Sequence, residues 1–160
     1  AEETRENAAF CWQGRCVLVA EDNEINREIA VALLEQMGAR VITADNGAHA
    51  VQAFLAQPED SIDAILMDMQ MPEMDGCEAA RAIRGLPRAD AADVLIIAVT
   101  ANVFSEDIDR TTRAGMNGHI PKPVDAATLD RVMQQLISER ERRKKPARIH
   151  KDKTGKEMET

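Results

Sequence analysis

The stretch Asp63-Ala64-Ile65-Leu66-Met67-Asp68-Met69-Gln70-Met71-Pro72-Glu73-Met74-Asp75-Gly76 decides the fold of this chain. Its first five residues, apolar from Ala64 onward, form a run too short for a helix and suited to a buried strand. A carboxylate stands directly after that run, a loop shaped by Pro72 follows, and helical spacing takes over from Gly76 to Arg84. The same unit recurs on both sides. Short runs rich in Val and Ile lie at Cys16–Ala20, Arg40–Ala44, Val94–Val99 and Gly118–Pro121. Ile25, Ile29, Leu33 and Met37 fall every fourth residue, with Asn23 placed to cap a first helix and Gly38 just past its end. Asn46-Gly47 opens a second helix through Val51, Phe54 and Leu55, broken before Pro58. Ser105 caps a helix ending at Ala114-Gly115, and Asp125 caps one whose Leu129, Val132, Met133 and Leu136 form an i, i+3, i+4, i+7 stripe. Five strand–helix units in succession predict an α/β fold: a parallel sheet with right-handed crossovers and helices on both faces.

The length of 160 residues suits one domain. Apolar residues make up 44% and charged residues 30%, which excludes wholesale disorder or a fibrous repeat. The longest aliphatic run, Val94-Leu95-Ile96-Ile97-Ala98-Val99, is far short of a membrane span. Ala1 to Gly14 lacks the basic start and apolar centre of a secretory signal. A cytoplasmic domain that makes no membrane contact of its own is the expectation, and the missing initiator Met suggests a processed chain or part of a longer one. Cys11, Cys16 and Cys77 cannot all pair with one another and match no zinc spacing, so they read as reduced thiols.

The net charge of −8 is spread unevenly: Glu139–Thr160 holds nine Lys/Arg against five Asp/Glu, so residues 1–138 carry −12. An acidic body with no Tyr, one Trp and three Phe excludes nucleic acid as the main partner, since duplex binding rests on basic phosphate contacts and single-strand binding on aromatic stacking. It suits cations and basic partners instead. Residues 1–14 read as a linker, 15–138 as the domain, and 139–160 as a charged tail that extends the last helix as far as Pro146 and is disordered beyond it.

In an open parallel sheet, ligands bind beyond the carboxyl ends of the strands. Glu21 and Asp22 follow the first strand, Asp68 the third, Thr100 the fourth, and Lys122 stands near the end of the fifth. Nothing chemically comparable precedes the strands. Three carboxylates packed together repel unless a cation neutralises them, and an all-oxygen set without His or Cys fits a hard divalent ion, Mg²⁺ by preference. A divalent metal, an ammonium and a hydroxyl around a carboxylate are what a transferring phosphoryl group needs, with Asp68 placed to attack in line.

Val17-Leu18-Val19-Ala20-Glu21-Asp22-Asn23-Glu24-Ile25-Asn26, then Ile65–Gly76, then Ile97-Ala98-Val99-Thr100-Ala101-Asn102 and Lys122-Pro123 together resemble the receiver domain of two-component response regulators. The resemblance is greatest to receivers attached to hybrid sensor histidine kinases, and it covers about residues 15–138. It implies a flavodoxin-like, doubly wound sheet of strand order 2-1-3-4-5 with five helices. It implies that Asp68 accepts a phosphoryl group from a phosphohistidine, with a histidine kinase or a histidine-phosphotransfer domain as donor or acceptor. By the same resemblance Mg²⁺ is held by Asp22 and Asp68 directly, by Glu21 mostly through water, and by the backbone carbonyl of Gln70. Lys122 contacts the phosphoryl oxygen and is joined to Pro123 by a cis bond. Thr100 binds the phosphoryl group and draws its loop inward, a shift between two populations. The domain so implied catalyses its own phosphorylation and dephosphorylation. Ile25, Asn26 and Pro123 would face the donor's helical bundle. One position departs from the family: the aromatic switch residue, three before the lysine, is His119 here, read as a smaller ring rotor, a pH-sensitive contact or a plain surface residue.

Met67, Met69, Met71 and Met74 read as packing thioethers rather than soft-metal ligands, and His49 and His150 as solvated. A haloacid-dehalogenase-like phosphatase also uses an Asp nucleophile with Mg²⁺, but it places a second Asp two residues on, where this chain has Gln70. No Gly-rich phosphate loop follows the first strand, which removes a nucleotide-binding Rossmann domain. The remaining rival is a pseudo-receiver, an interaction module independent of phosphorylation, and the complete set of acidic-pocket residues speaks against it.

Overall fold

Strands β1 (Cys16–Ala20), β2 (Arg40–Ala44), β3 (Ala64–Asp68), β4 (Leu95–Thr100) and β5 (Gly118–Pro121) pair in parallel in the order β2-β1-β3-β4-β5. They are seen in a computed structural model that describes residues 11–71, 73–101 and 105–152, with backbone alone for 105–107 and 141–152. The helices are α1 (Glu24–Gln36), α2 (Gly47–Ala56), α3 (Gly76–Arg84), α4 (Asp90–Asp93), α5 (Ser105–Arg113) and α6 (Ala126–Asp152). β1, β3 and β4 are buried along their whole length, as expected where helices cover both faces of a parallel sheet. Alternate side chains therefore feed two cores. Leu18, Ile65, Met67 and Ile96 join Phe54 of α2 and Ile83 of α3 on one face. Val17, Val19, Leu66 and Ile97 join Leu34 of α1 and Leu129, Met133 and Leu136 of α6 on the other. Each fully buried Leu, Ile or Phe contributes about 1.5–3 kcal/mol of transfer free energy. No described helix is long and apolar enough to cross a membrane.

Local chemistry sets the helix starts. The side chain of Asn23 accepts from Asn26 N at 2.9 Å, and that of Asn46 from His49 N at 2.7 Å. Asp75 and Glu78 form a reciprocal capping box, and Asp125 accepts from Thr128 N at 2.8 Å.

The structure departs from the sequence expectations at several points. β3 and β4 end one residue later, at Asp68 and Thr100, because the ladder depends on backbone groups and runs on past the last apolar side chain: Met69 N still donates to Val99 O. A sixth helix appears, the single turn of α4, too short to show a period. The row Ile25, Ile29, Leu33, Met37 marks the helix, as expected, but not its core face; Ile25 is 67% and Ile29 53% exposed, and the buried residues of α1 are Ala30 and Leu34. A four-residue step overshoots the helical turn by roughly 40°, so such a row winds off the core face. Ser105 is the first helical residue rather than a cap. Helix α6 does not stop at Pro146 but runs to Asp152. A proline removes one hydrogen bond, at a cost of about 3 kcal/mol, while Glu139 with Arg143 and Glu141 with Lys145 stand at the i, i+4 spacing that favours the helix. Trp12, inside the expected linker, is buried. Ala1–Phe10, Pro72, Asn102 and the expected disorder of 153–160 lie outside the described residues, as do the surroundings of His150.

Gly76 carries the fold into the site: a Cβ there would stand 2.4 Å from the carbonyl oxygen of Asp68. Gly76→Ala is expected to lower stability by about 1–3 kcal/mol, read as a lower urea midpoint with an unchanged slope. An unchanged midpoint would mean that the loop after β3 moves aside freely.

Candidate functional site

Parallel pairing brings the carboxyl ends of four strands to one edge. Ala20 lies beside Met67, Asp68 beside Val99, and Thr100 beside Pro121. The residues at or just after those ends, Glu21, Asp22, Asp68, Thr100 and Lys122, therefore meet. Glu21, Asp68 and Thr100 are buried and Asp22 is exposed. One carboxylate oxygen from each of Glu21, Asp22 and Asp68 lies within 4.8 Å of the others. Lys122 Nζ sits 3.1 Å from Asp68 Oδ1 and 3.5 Å from Glu21 Oε1. Backbone bonds fix these positions: Glu21 N donates to Ala44 O at 3.0 Å, and Lys122 N to Thr100 O at 2.9 Å. The Lys122–Pro123 peptide is cis.

The electrostatics follow from the crowding. Burial, reinforced by Asp68, pushes the Glu21 carboxyl up to about 7, against the opposing pull of the Asn23 N–H, which donates to its Oε2 at 3.1 Å, and of Lys122. Burial pulls the Lys122 ammonium down, but Asp68 and then Glu21 outweigh it and hold the group above its ordinary value. Three oxygen donors with no His or Cys, one of them with its proton affinity raised by burial and by Asp68, are a set that a hard divalent cation fits.

The other sequence-derived residues fall as follows. Gln70 is exposed, and its backbone N–H donates to Asp68 Oδ1 at 3.3 Å. His119 does not point free into solvent: its Nε2 is hydrogen-bonded to Thr111 Oγ1 of α5, a fully buried hydroxyl that also donates to Ile108 O. Ile25 and Asn26 stand on the exposed start of α1. Asn26 and Pro123 help line a cavity of about 310 Å³ beside Glu21 and Lys122, walled by Ile29 and Val124. His49 is exposed and bonded to Asp45.

Three features escaped the sequence reading. Arg27 donates to the carbonyl of Glu21 at 2.8 Å and so grips the acidic turn from α1. Arg110 of α5 pairs with Asp75 at 3.2 Å, and both line a groove shared with Asp22 and Gln70. No motif marks either arginine. The opposite edge of the sheet is also not bare, for Asp60, Asp63, Asp90 and Asp93 line a recess there. Two of them are satisfied locally: Asp63 by Arg15 and Cys16 N, and Asp90 by Arg88 and Asp60 N.

Comparison with known proteins agrees with this geometry. Residues 17–134 match the model of the response regulator receiver domain. Hybrid signal transduction histidine kinase L of Dictyostelium discoideum is 40% identical over 125 residues, 74% of this chain and 7% of that protein. Histidine kinase 3 of Arabidopsis thaliana is 33% identical over 143 residues, 78% of this chain and 14% of that protein. The chain thus spans only a small part of the curated relatives it matches. Among solved structures, the receiver domain of a sensor histidine kinase from Pseudomonas aeruginosa, with a magnesium ion coordinated in its active-site cleft, is 38% identical. It superposes with a TM-score of 0.68 over 78% of this chain and 98% of that one. A chemotaxis response regulator of Vibrio cholerae is 25% identical with a TM-score of 0.68, covering 76% of this chain and 98% of its own.

A folded-state value near 7 means that the folded form holds the Glu21 proton more tightly than the unfolded chain, whose ordinary value is 4.5. The associated stability is complete below 4.5 and is lost as pH rises through about 7. In metal-free buffer, the thermal midpoint of the wild type is expected to fall relative to Glu21→Gln between about pH 5 and pH 8. Parallel midpoints across that range would remove the assigned shift.

Proposed function

The chain belongs to the response regulator receiver family, and on that premise we propose that it takes a phosphoryl group from a phosphohistidine onto Asp68 and relays it within a two-component pathway. The observation that carries this reading is the position of Lys122 Nζ, within 3.5 Å of both Asp68 and Glu21 while Asp22 completes the acidic cluster. Asp68 is the nucleophile: a carboxylate lone pair forms the new P–O bond as the donor's N–P bond breaks, and that electron pair returns to the imidazole. Lys122 offers its ammonium to the oxygens of the incoming group and balances charge as it arrives. Thr100, at the adjacent strand end, donates its hydroxyl to one of those oxygens and moves toward it, which biases the β4–α5 loop and the helix beyond. Burial of Asp68 keeps bulk water from the acyl phosphate.

Glu21, Asp22, Asp68 and the backbone carbonyl of Gln70 would hold Mg²⁺, which when bound neutralises the carboxylates and the phosphoryl charge. His119 serves as the switch residue in place of the usual aromatic ring. The partner is a histidine kinase or a histidine-phosphotransfer domain, and it docks on the face where Ile25 and Ile29 are exposed beside Pro123. A hybrid kinase is the setting that the relatives suggest, with the domain working in the cytoplasm. A role independent of phosphorylation has no observation in its favour.

Intact-mass spectrometry after incubation with acetyl phosphate tests the reading. One phosphoryl adduct is expected with Mg²⁺, none with EDTA and none in Asp68→Asn. An adduct that persists in Asp68→Asn refutes the assignment. Lys122→Ala is expected to retain measurable Mg²⁺ binding by calorimetry while phosphorylation no longer changes the amide spectrum around Thr100; an unchanged response would refute the role given to Lys122.

A further inference from the structure

The chain enters the domain through a hook rather than a loose linker. Arg15 N donates to Trp12 O at 2.9 Å, closing a turn in which Gly14 adopts a φ of +79°, a left-handed backbone that glycine takes without penalty. The turn lays Trp12 into the core cluster that holds Ala30 and Leu34 of α1 together with Leu129 and Met133 of α6, and leaves it only 3% exposed. Its indole N–H donates to Asp130 Oδ1 of α6 at 2.6 Å, a charge-assisted bond. The next residue, Gln13, lies over the end of α1: a Cβ on Gly38 would stand 2.7 Å from its Oε1. The hook therefore spans the groove between α1 and α6.

These two helices lead directly away from the two sides of the site. α1 begins two residues after Asp22, with Asn23 as its cap, and α6 begins four residues after Lys122. Each helix is thus continuous with one side of the site, the first with the acidic pair and the last with the ammonium. The Asp130 bond is made early in α6, close to the loop that holds Lys122.

We infer that Trp12 is a positioning residue for phosphoryl transfer: wedged between α1 and α6, it sets the separation of Glu21 and Asp22 from Lys122. The inference rests on the receiver reading given above. Because coupling is reciprocal, occupation of the acidic pocket must alter the surroundings of the indole, and loss of the indole must alter the affinity of the pocket.

Trp12 is the only tryptophan in the chain, so intrinsic fluorescence reports on it alone. With Mg²⁺ and beryllofluoride as a phosphoryl mimic, and calorimetry to establish binding, Trp12 emission or its quenching by acrylamide is expected to change with the same midpoint as the heat. Trp12→Ala is expected to weaken beryllofluoride binding about fivefold or more. Trp12→Phe keeps a ring in the wedge and is expected to recover most of that loss. Wild type that binds the mimic while its fluorescence stays constant overturns the inference and leaves the receiver reading intact, even if Trp12→Ala fails to fold. A folded Trp12→Ala of lower thermal midpoint but unaltered affinity also overturns it, showing a merely structural tryptophan. Wild type that binds neither Mg²⁺ nor the mimic overturns the receiver reading and the inference with it.

Discussion

Repulsion among Glu21, Asp22 and Asp68 is the constraint around which the rest of this domain is arranged. Bringing three carboxylates within 4.8 Å, two of them buried, is costly in any medium less polar than water. The fold meets the cost with one ammonium, Lys122, and with a proton held on Glu21 up to about pH 7. Both remedies are incomplete, and that incompleteness is useful. On the function proposed above, a site left short of positive charge would take up a divalent cation and, with it, an anionic group that a cluster of carboxylates would otherwise repel. The backbone supplies what the side chains cannot: the N–H groups of Asn23 and Gln70 face Glu21 and Asp68.

The parallel sheet makes this arrangement possible because each side chain is supplied by a different strand end and each strand is locked to its neighbour. Asp68 cannot shift without moving the β3–β4 ladder, and Thr100 and Lys122 are tied by the Lys122 N to Thr100 O bond. Rigidity on this side contrasts with the polar fastening of α5, which meets the body through Arg110 with Asp75 and through Thr111 with His119. Arg84 adds two donors to Gly115 O just beyond that helix. Contacts of this kind exchange one partner for another at small net cost, whereas a packed apolar seam does not. The described contacts of α5 include several such hydrogen bonds, so on the function proposed above it is an element suited to respond to Thr100.

The order of strands and helices and the convergence at their carboxyl ends were legible because period and strand-end chemistry are local signals. Asn23 and Asp125 sit where capping chemistry requires. What failed to read were features set by tertiary geometry. The apolar row of α1 marked the helix but not its core face, which is made by Ala30 and Leu34 while Ile25 and Ile29 point outward. Arg27 and Arg110 act on residues in other elements, and nothing in their own neighbourhood distinguishes them from solvated surface arginines. Trp12 looked like linker because the partner of its indole, Asp130, is 118 positions away. His119 was rightly marked as unusual, but only the fold shows that its ring is bonded to α5.

The two faces of the sheet divide the work between them. On one face α1 and α6 flank the site, present Ile25, Ile29 and Pro123 outward, and enclose the Trp12 hook. Toward β5 and the loop after β3, α5 touches Asp75 and His119. On the proposed function, a phosphoryl group on Asp68 would lie between these two sets of helices and meet both through the residues that precede them: the acidic pair and Lys122 for the first, Thr100 for the second. On that reading, entry of the group and the response to its presence fall to different surfaces, and a partner seated over α1 to deliver the phosphoryl group would leave α5 free to respond while delivery is still under way.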